Sequence, residues 1–305
     1  MPNTIVLTGA TRGIGEVALR HLVAQTEPGT RFVLLARDPA GSALAQQLRA
    51  QGAGVLSIPA DLSSMSSVLG AARAVADAVA AGDLPPLSAI VGNAGIQHVD
   101  DTTETDEGLE ETFAVNVLAN YVLIEELRPH LRPRSRIVIT VSDTHFGDFR
   151  HNMGMVPGPA WPEDPARLAS IRTFDRPESV SAGRTAYSTS KLAAIYLVHE
   201  YARRLPEGVD IVGYNPGFVP GTGLARNAGA LSRFAVRRIL PLMTLTPLAT
   251  GQRAAGKHLA DAVLGRIDVP SGGYIDRNRV VPSSSESYDE KRERQLWETL
   301  ERLTA

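Results

Sequence analysis

Short apolar runs alternate along most of the chain with longer stretches whose apolar residues recur every three or four positions. The runs Thr4 to Thr8, Arg31 to Ala36, Gly54 to Ile58, Ser88 to Val91, Arg136 to Val141, Val209 to Tyr214 and Gly273 to Asp276 are brief and bounded by turn residues. They read as buried strands. The longer periodicity predicts helices over about Gly13 to Ala24, Gly41 to Ala50, Ser63 to Ala81, Asp106 to Leu127, Gly183 to Leu205 and Ala249 to Leu264. A charged helix from Ser287 to Leu303 ends the chain. Strands alternating with helices of this length predict an α/β protein: a doubly wound parallel sheet flanked by helices, in one domain spanning 1–305.

Two segments interrupt the alternation. His145 to Ala182 is rich in Pro and Gly, with Pro157-Gly-Pro-Ala-Trp-Pro inside it, and reads as a long insert, the kind of loop that is usually functional. Residues 222–248 mix apolar side chains with Arg226, Arg233, Arg237 and Arg238 and are cut by Pro241 and Pro247. A substrate lid fits that pattern better than a membrane-surface helix.

Composition narrows the function. The net charge is −2 with dispersed basic residues, so a nucleic-acid footprint is not indicated. The absence of cysteine excludes disulfides, thiolate catalysis and Cys-based metal sites, and the seven histidines show no metal-ligand spacing. Met1-Pro2-Asn3 runs straight into a strand without a leader pattern, and no apolar run approaches a bilayer span, so a soluble, cytoplasmic protein is expected.

The candidate chemistry lies at strand ends. Thr4 to Thr8 is followed by Gly9-Ala-Thr11-Arg12-Gly13-Ile14-Gly15 and then a helix. Glycines let a backbone approach a pyrophosphate, whose charge is met by N–H groups at the helix N-terminus, as in Rossmann folds. At the end of the second strand stands Arg37, which suits the 2′-phosphate of NADP, so NADP(H) is favoured over NAD(H). Asp38 is the dissenting neighbour, able to bind a ribose 2′-hydroxyl. Asp61 and Leu62, Asn93-Ala94-Gly95, Ser142, and Asn215-Pro216-Gly217 leading to Val219 and Thr222 occupy other strand ends. Tyr187 and Lys191 are four apart on a predicted helix and so share a face. An ammonium beside a phenol eases its ionisation, which makes a proton donor of a side chain with an ordinary pKa near 10. Asn116, inside a predicted helix, is a poor helix former there; surface exposure is its simplest explanation.

Thr8-Gly9-Ala-Thr-Arg-Gly13-Ile-Gly15, Asp61, Asn93-Ala-Gly95, Asn116, Ser142, Tyr187-x-x-x-Lys191 and Pro216-Gly217 together resemble the short-chain dehydrogenase/reductase family, in its motif order and over residues 4 to 222. Gly272-Gly-Tyr-Ile-Asp276 and Gln295-Leu-Trp297 are similar to the retinol dehydrogenase and protochlorophyllide reductase branch. The resemblance implies that Tyr187 exchanges the proton at a carbonyl or alcohol oxygen. Lys191 would hold the nicotinamide ribose and lower the tyrosine pKa, Ser142 would hydrogen-bond the reacting oxygen, and Asn116 would hold a water linking Lys191 to solvent. The implied cofactor contacts are Gly9, Thr11, Arg12, Gly13, Ile14, Gly15, Arg37, Asp61, Leu62, Asn93, Ala94, Gly95, Tyr187, Lys191, Pro216, Gly217, Val219 and Thr222.

The chain departs from the family pattern at Val141-Ser142-Asp143, where paired serines are usual, at Ala119 in place of a glycine, and at Thr222, one place late. Ser142 and Tyr187 stand 45 positions apart, far more than in ordinary members. In related enzymes such an insert covers the tetramer surface, which favours a monomer over a dimer. Light-driven protochlorophyllide reduction is disfavoured because it uses a cysteine. The expectation is an NADP(H)-dependent reductase of the carbonyl/alcohol couple acting on a bulky apolar substrate. The alternatives are an alcohol dehydrogenase working oxidatively and, from another class, a non-catalytic NADP(H)-sensing protein.

Overall fold

The computed structural model describes residues 2–152, 154–220 and 249–305. The lid expected over 222–248, and Thr222 with it, lie outside these residues. Eight strands form one sheet: β1 (Thr4–Thr8), β2 (Arg31–Ala36), β3 (Gly54–Pro59), β4 (Leu87–Gly92), β5 (Leu131–Thr140), β6 (Asp210–Asn215), β7 (Tyr274–Asp276) and β8 (Arg279–Val281). Their spatial order is β3-β2-β1-β4-β5-β6-β7-β8, parallel through β7, with β8 antiparallel at the edge. The chain moves outward from β1 to β3 and returns to pair β4 on the other side of β1, Val6 facing both Val33 and Ile90. That reversal opens a crevice at the carboxyl ends of β1 and β4, where ligands of doubly wound sheets bind.

Apolar residues along each strand alternate between the two faces. Val6, Val33 and Ile90 meet α3 (Met65–Ala80), α5 (Ala119–Leu127), α7 (Val180–Arg204) and α9 (Glu290–Thr304) on one face. Ile5, Leu7, Phe32 and Leu34 meet α1 (Gly13–Gln25), α2 (Ala40–Ala50) and α8 (Gln252–Val263) on the other.

Several boundaries differ from the periodic reading. The helix expected from Asp106 begins at α4 (Glu111–Phe113), because Glu104 and Glu110 pair in an isolated bridge and the Glu110 carboxylate caps the helix, accepting from the N–H groups of Thr112 (2.9 Å) and Phe113 (2.6 Å). A π-helical turn, Ala114–Leu118, then leads into α5. The catalytic-type helix α7 starts at Val180, ahead of Gly183, with the Ser179 hydroxyl accepting from Ala182 N–H.

The insert is built rather than irregular. It contains a 3₁₀ turn (Asp143–Phe146), the short α6 (Phe149–Asn152) and a second 3₁₀ turn (Pro165–Ala169). The buried Asp101 carboxylate accepts from Thr173 N–H (2.7 Å) and Phe174 N–H (2.9 Å), and Glu110 N–H donates to Ala169 C=O (2.9 Å). Trp161 meets Tyr196 of α7 edge-on at 4.9 Å. No helix among the described residues is long and apolar enough to cross a membrane.

Candidate active site

A cleft of about 1440 Å³ runs across the carboxyl ends of the parallel strands. Its floor begins with Thr8, whose hydroxyl accepts from Asn93 N–H and Ala94 N–H (both 3.1 Å) and donates to Val91 C=O (3.3 Å), fastening β1 to β4 at the reversal. Gly9 has φ 65°, and a Cβ there would lie 2.8 Å from the Ala94 backbone; a Cβ on Gly15 would lie 2.1 Å from Gly9 O. Only glycine fits such contacts, and the bared N-terminus of α1 faces the cleft. The Asn93 amide donates to Gly9 C=O (3.1 Å) and accepts from Thr140 Oγ1 (3.2 Å), which spans β1, β4 and β5.

Arg12 and Arg37 are exposed and line the same end of the cleft. Asp38 has turned away and accepts from Ser42 Oγ at 2.6 Å. Burial tends to raise the Asp61 carboxyl, but hydrogen bonds from Ser63 N–H and Oγ and the charge of Arg37 bring it below its ordinary value. Cations, bare N–H groups and a close-approach glycine turn in one crevice of this size fit a nicotinamide dinucleotide.

At the other end, α7 places Tyr187 and Lys191 side by side and buried, the Lys191 ammonium 5.6 Å from the tyrosine ring centroid. Lys191 Nζ donates to Thr140 C=O at 3.0 Å. Burial lowers this ammonium to about 8 and raises the Tyr187 phenol to about 12. A hydrogen bond with Ser142 pulls the phenol down and the Asp143 charge pushes it up. The eased ionisation expected from Lys191 is not seen in the folded chain, where desolvation of the phenol dominates and Ser142 is the group that opposes it.

Ser142 stands two residues beyond the end of β5 and caps the 3₁₀ turn, its hydroxyl accepting from Thr144 N–H at 3.3 Å. Burial raises the Asp143 carboxyl to about 6, Asp276 adding to the rise and Arg277, His151 and Asn215 opposing it. Asn116 is 1 % exposed and therefore no surface residue. Its side chain pairs with the Ile96 backbone (N–H at 2.9 Å, C=O at 3.0 Å) and donates to Ser190 Oγ (2.9 Å), while its own carbonyl accepts from Asn120 Nδ2 (2.9 Å). It stands behind the cleft wall. Every other expected contact within the described residues, from Gly9 to Val219, lines the cleft.

Sequence reasoning quoted Thr8 and Asn215 within motifs without giving them a role, and did not single out Thr140 or His145. His145 is buried and held neutral, burial lowering it to about 4. Its Nε2 accepts from Ser284 N–H (3.0 Å), so Nδ1 carries the proton and donates to Ser142 C=O (2.6 Å). The insert supplies Phe146, His151, Met155 and Val156 to the cleft wall.

A family model described as short chain dehydrogenase matches residues 3–153. A protein of Streptomyces sp. (strain C5) assigned as a daunorubicin C-13 ketoreductase is 31% identical, over 97% of this chain and 90% of its own. The chain belongs to the short-chain dehydrogenase/reductase family. It is accordingly an oxidoreductase of the CH–OH/C=O couple that binds a nicotinamide cofactor. The polyprenol dehydrogenase of Mus musculus is another relative of this dehydrogenase/reductase, 29% identical over 98% of the chain and 83% of its own length. Among solved structures, the NADPH-bound carbonyl reductase from chicken fatty liver shares the fold with a TM-score of 0.60 at 19% identity, covering 92% of this chain and 98% of that one.

Proposed function

We propose that this dehydrogenase/reductase is a monomeric NADP(H)-dependent reductase of bulky, largely apolar ketones. The observation that carries the carbonyl chemistry is the convergence of Ser142, Tyr187 and Lys191 on one end of the cleft, with Ser142 close enough to ease the ionisation of the phenol. A substrate oxygen entering there accepts from Ser142 Oγ and Tyr187 Oη. A nicotinamide held along the glycine turn and Lys191 would supply the hydride for the carbonyl carbon. Tyr187 gives its proton to the oxygen, and the Lys191 ammonium, fixed on Thr140 C=O, stabilises the phenolate left behind. Asn116 holds the Ile96 turn and Ser190 of α7 together. Its carbonyl keeps a second lone pair for the water that would connect Lys191 to solvent.

Arg37 and Arg12 at the cofactor end, with Asp38 occupied by Ser42, support NADP(H) over NAD(H). Phe146, Met155, Val156, Tyr274 and Val281 along a cleft of about 1440 Å³ support a large apolar substrate. The relative named as a ketoreductase favours reduction; the one named as a polyprenol dehydrogenase favours the oxidative alternative. The test is NADPH oxidation by wild type and Tyr187→Phe across carbonyls from small aldehydes to polycyclic ketones. Tyrosine-dependent turnover rising with substrate size is expected. Turnover confined to small charged ketones would remove the substrate assignment, and activity surviving in Tyr187→Phe would remove the proton donor.

A further inference from the structure

The carboxylate of Asp143 belongs to the tripeptide Val141-Ser142-Asp143, where the family pattern has paired serines, and the structure gives it little to do for its own fold. It lines the cleft beside Ser142. It accepts a long 3.5 Å contact from Ser142 Oγ, and the Asn215 amide acts on it as a weaker donor. Its neighbours are shared with Asp276. The Asn215 side-chain nitrogen donates to Asp276 Oδ1 (2.9 Å), and the Asn215 side-chain oxygen accepts from Asp143 N–H (3.3 Å) and Gly217 N–H (3.0 Å). Arg277 bonds Asp276 Oδ2 (3.3 Å) and Thr250 Oγ1 (2.9 Å). The carboxyl is raised to about 6 and so is ionised at neutral pH, a charge in a largely desolvated wall with acceptor capacity to spare.

We propose that Asp143 is a specificity-determining residue that accepts a hydrogen bond from a hydroxyl on the carbon next to the reacting carbonyl, so that the preferred substrates are α-hydroxy ketones. This rests on the reductase reading and deepens it. Ser142 has one hydroxyl proton. When Asp143 takes that proton as its acceptor, Ser142 has none to offer the substrate oxygen. A substrate hydroxyl that occupies Asp143 frees Ser142 to donate to the adjacent carbonyl, which Tyr187 then protonates. A ketone without the donor leaves the half-buried carboxylate competing for the serine proton, and a site with an unmet polar group discriminates against such an analogue.

The experiment compares 2-hydroxyacetophenone with 2-methoxyacetophenone, which keeps the oxygen and removes the donor, in wild type, Asp143→Ala and Asp143→Asn with NADPH. Wild type should favour the hydroxy ketone in kcat/KM by at least about tenfold, as expected for a hydrogen bond to a charged group, and Asp143→Ala should bring the ratio to within about twofold of unity. The Asp143→Asn amide oxygen still accepts but carries no charge, so this variant should lower the ratio several-fold at unchanged side-chain volume, a reading that survives if Ala unfolds the turn. Turnover of both ketones with the same ratio in wild type and variants overturns the role of Asp143 and leaves the reductase intact. Failure of wild type to reduce either ketone overturns the α-hydroxy ketone preference, and failure on the polycyclic ketones as well overturns the reductase.

Discussion

Tyr187 illustrates how burial and neighbours compete for one proton. Desolvation lifts the phenol to about 12, so the free side chain is a firmly protonated acid, and the Ser142 hydrogen bond is the contribution that eases its ionisation. Tyr187→Phe removes the donor while leaving the ring packed against Lys191. It should lower kcat by roughly 10²–10⁴-fold with NADPH affinity nearly unchanged, read by single-turnover kinetics and fluorescence titration. Arg37 works at the opposite end of the cleft through charge. Arg37→Ala should weaken NADPH by about tenfold, the scale of a charge-assisted hydrogen bond, and leave NADH affinity unmoved. Equal losses for the two cofactors would refute the 2′-phosphate role. Both residues were legible in the sequence because spacing and strand ends fix them. The burial of Asn116 was not, because its partners Ile96 and Ser190 lie 20 and 74 positions away and only the fold joins them.

At the scale of elements, the strands and most helices could be read from periodicity, whereas the devices that join them could not. The β7–β8 hairpin turns through Arg277 at φ 57°, a left-handed conformation that a sequence signals with Gly or Asn rather than Arg, so β8 left no mark. The insert resembles an unstructured loop because its anchors are backbone N–H groups received by a carboxylate 72 and 73 positions earlier, Asp101. Asp101→Ala should therefore loosen residues 170–177 selectively. Limited proteolysis should show new cleavage there while the sheet remains protected, and uniform cleavage would mean that the carboxylate supports the whole fold instead. The glycine turn is the converse case, fully legible and sterically fixed. Gly9→Ala forces a Cβ to within 2.8 Å of the Ala94 backbone in a left-handed conformation. It should cost about 1–3 kcal/mol of stability and abolish cofactor binding, as calorimetry and thermal unfolding would record.

Across the whole molecule, two buried groups set opposite pH dependences that mask each other. Burial raises Glu110 from 4.5 to about 7, even though it caps α4. Between these values the folded chain holds a proton that the unfolded chain has released, so this group lowers stability as pH rises from about 4.5 to 7. Burial lowers His145 from 6.5 to about 4, against the pull of the Ser142 carbonyl, which favours the protonated ring. Here the unfolded chain takes the extra proton below pH 6.5, so this group raises stability as pH climbs from 4 to 6.5. Over pH 4.5–6.5 the two slopes have opposite sign, and wild-type stability should vary less than either group alone would make it. Glu110→Gln separates them. The amide still accepts at the helix N-terminus but cannot ionise, so the variant gains on wild type as pH rises, by about 3 kcal/mol between pH 4.5 and 7.5. Urea unfolding of both proteins across that range measures the gain. A difference that stays constant with pH would mean that Glu110 keeps its ordinary pKa in the folded chain, its helix cap cancelling its burial.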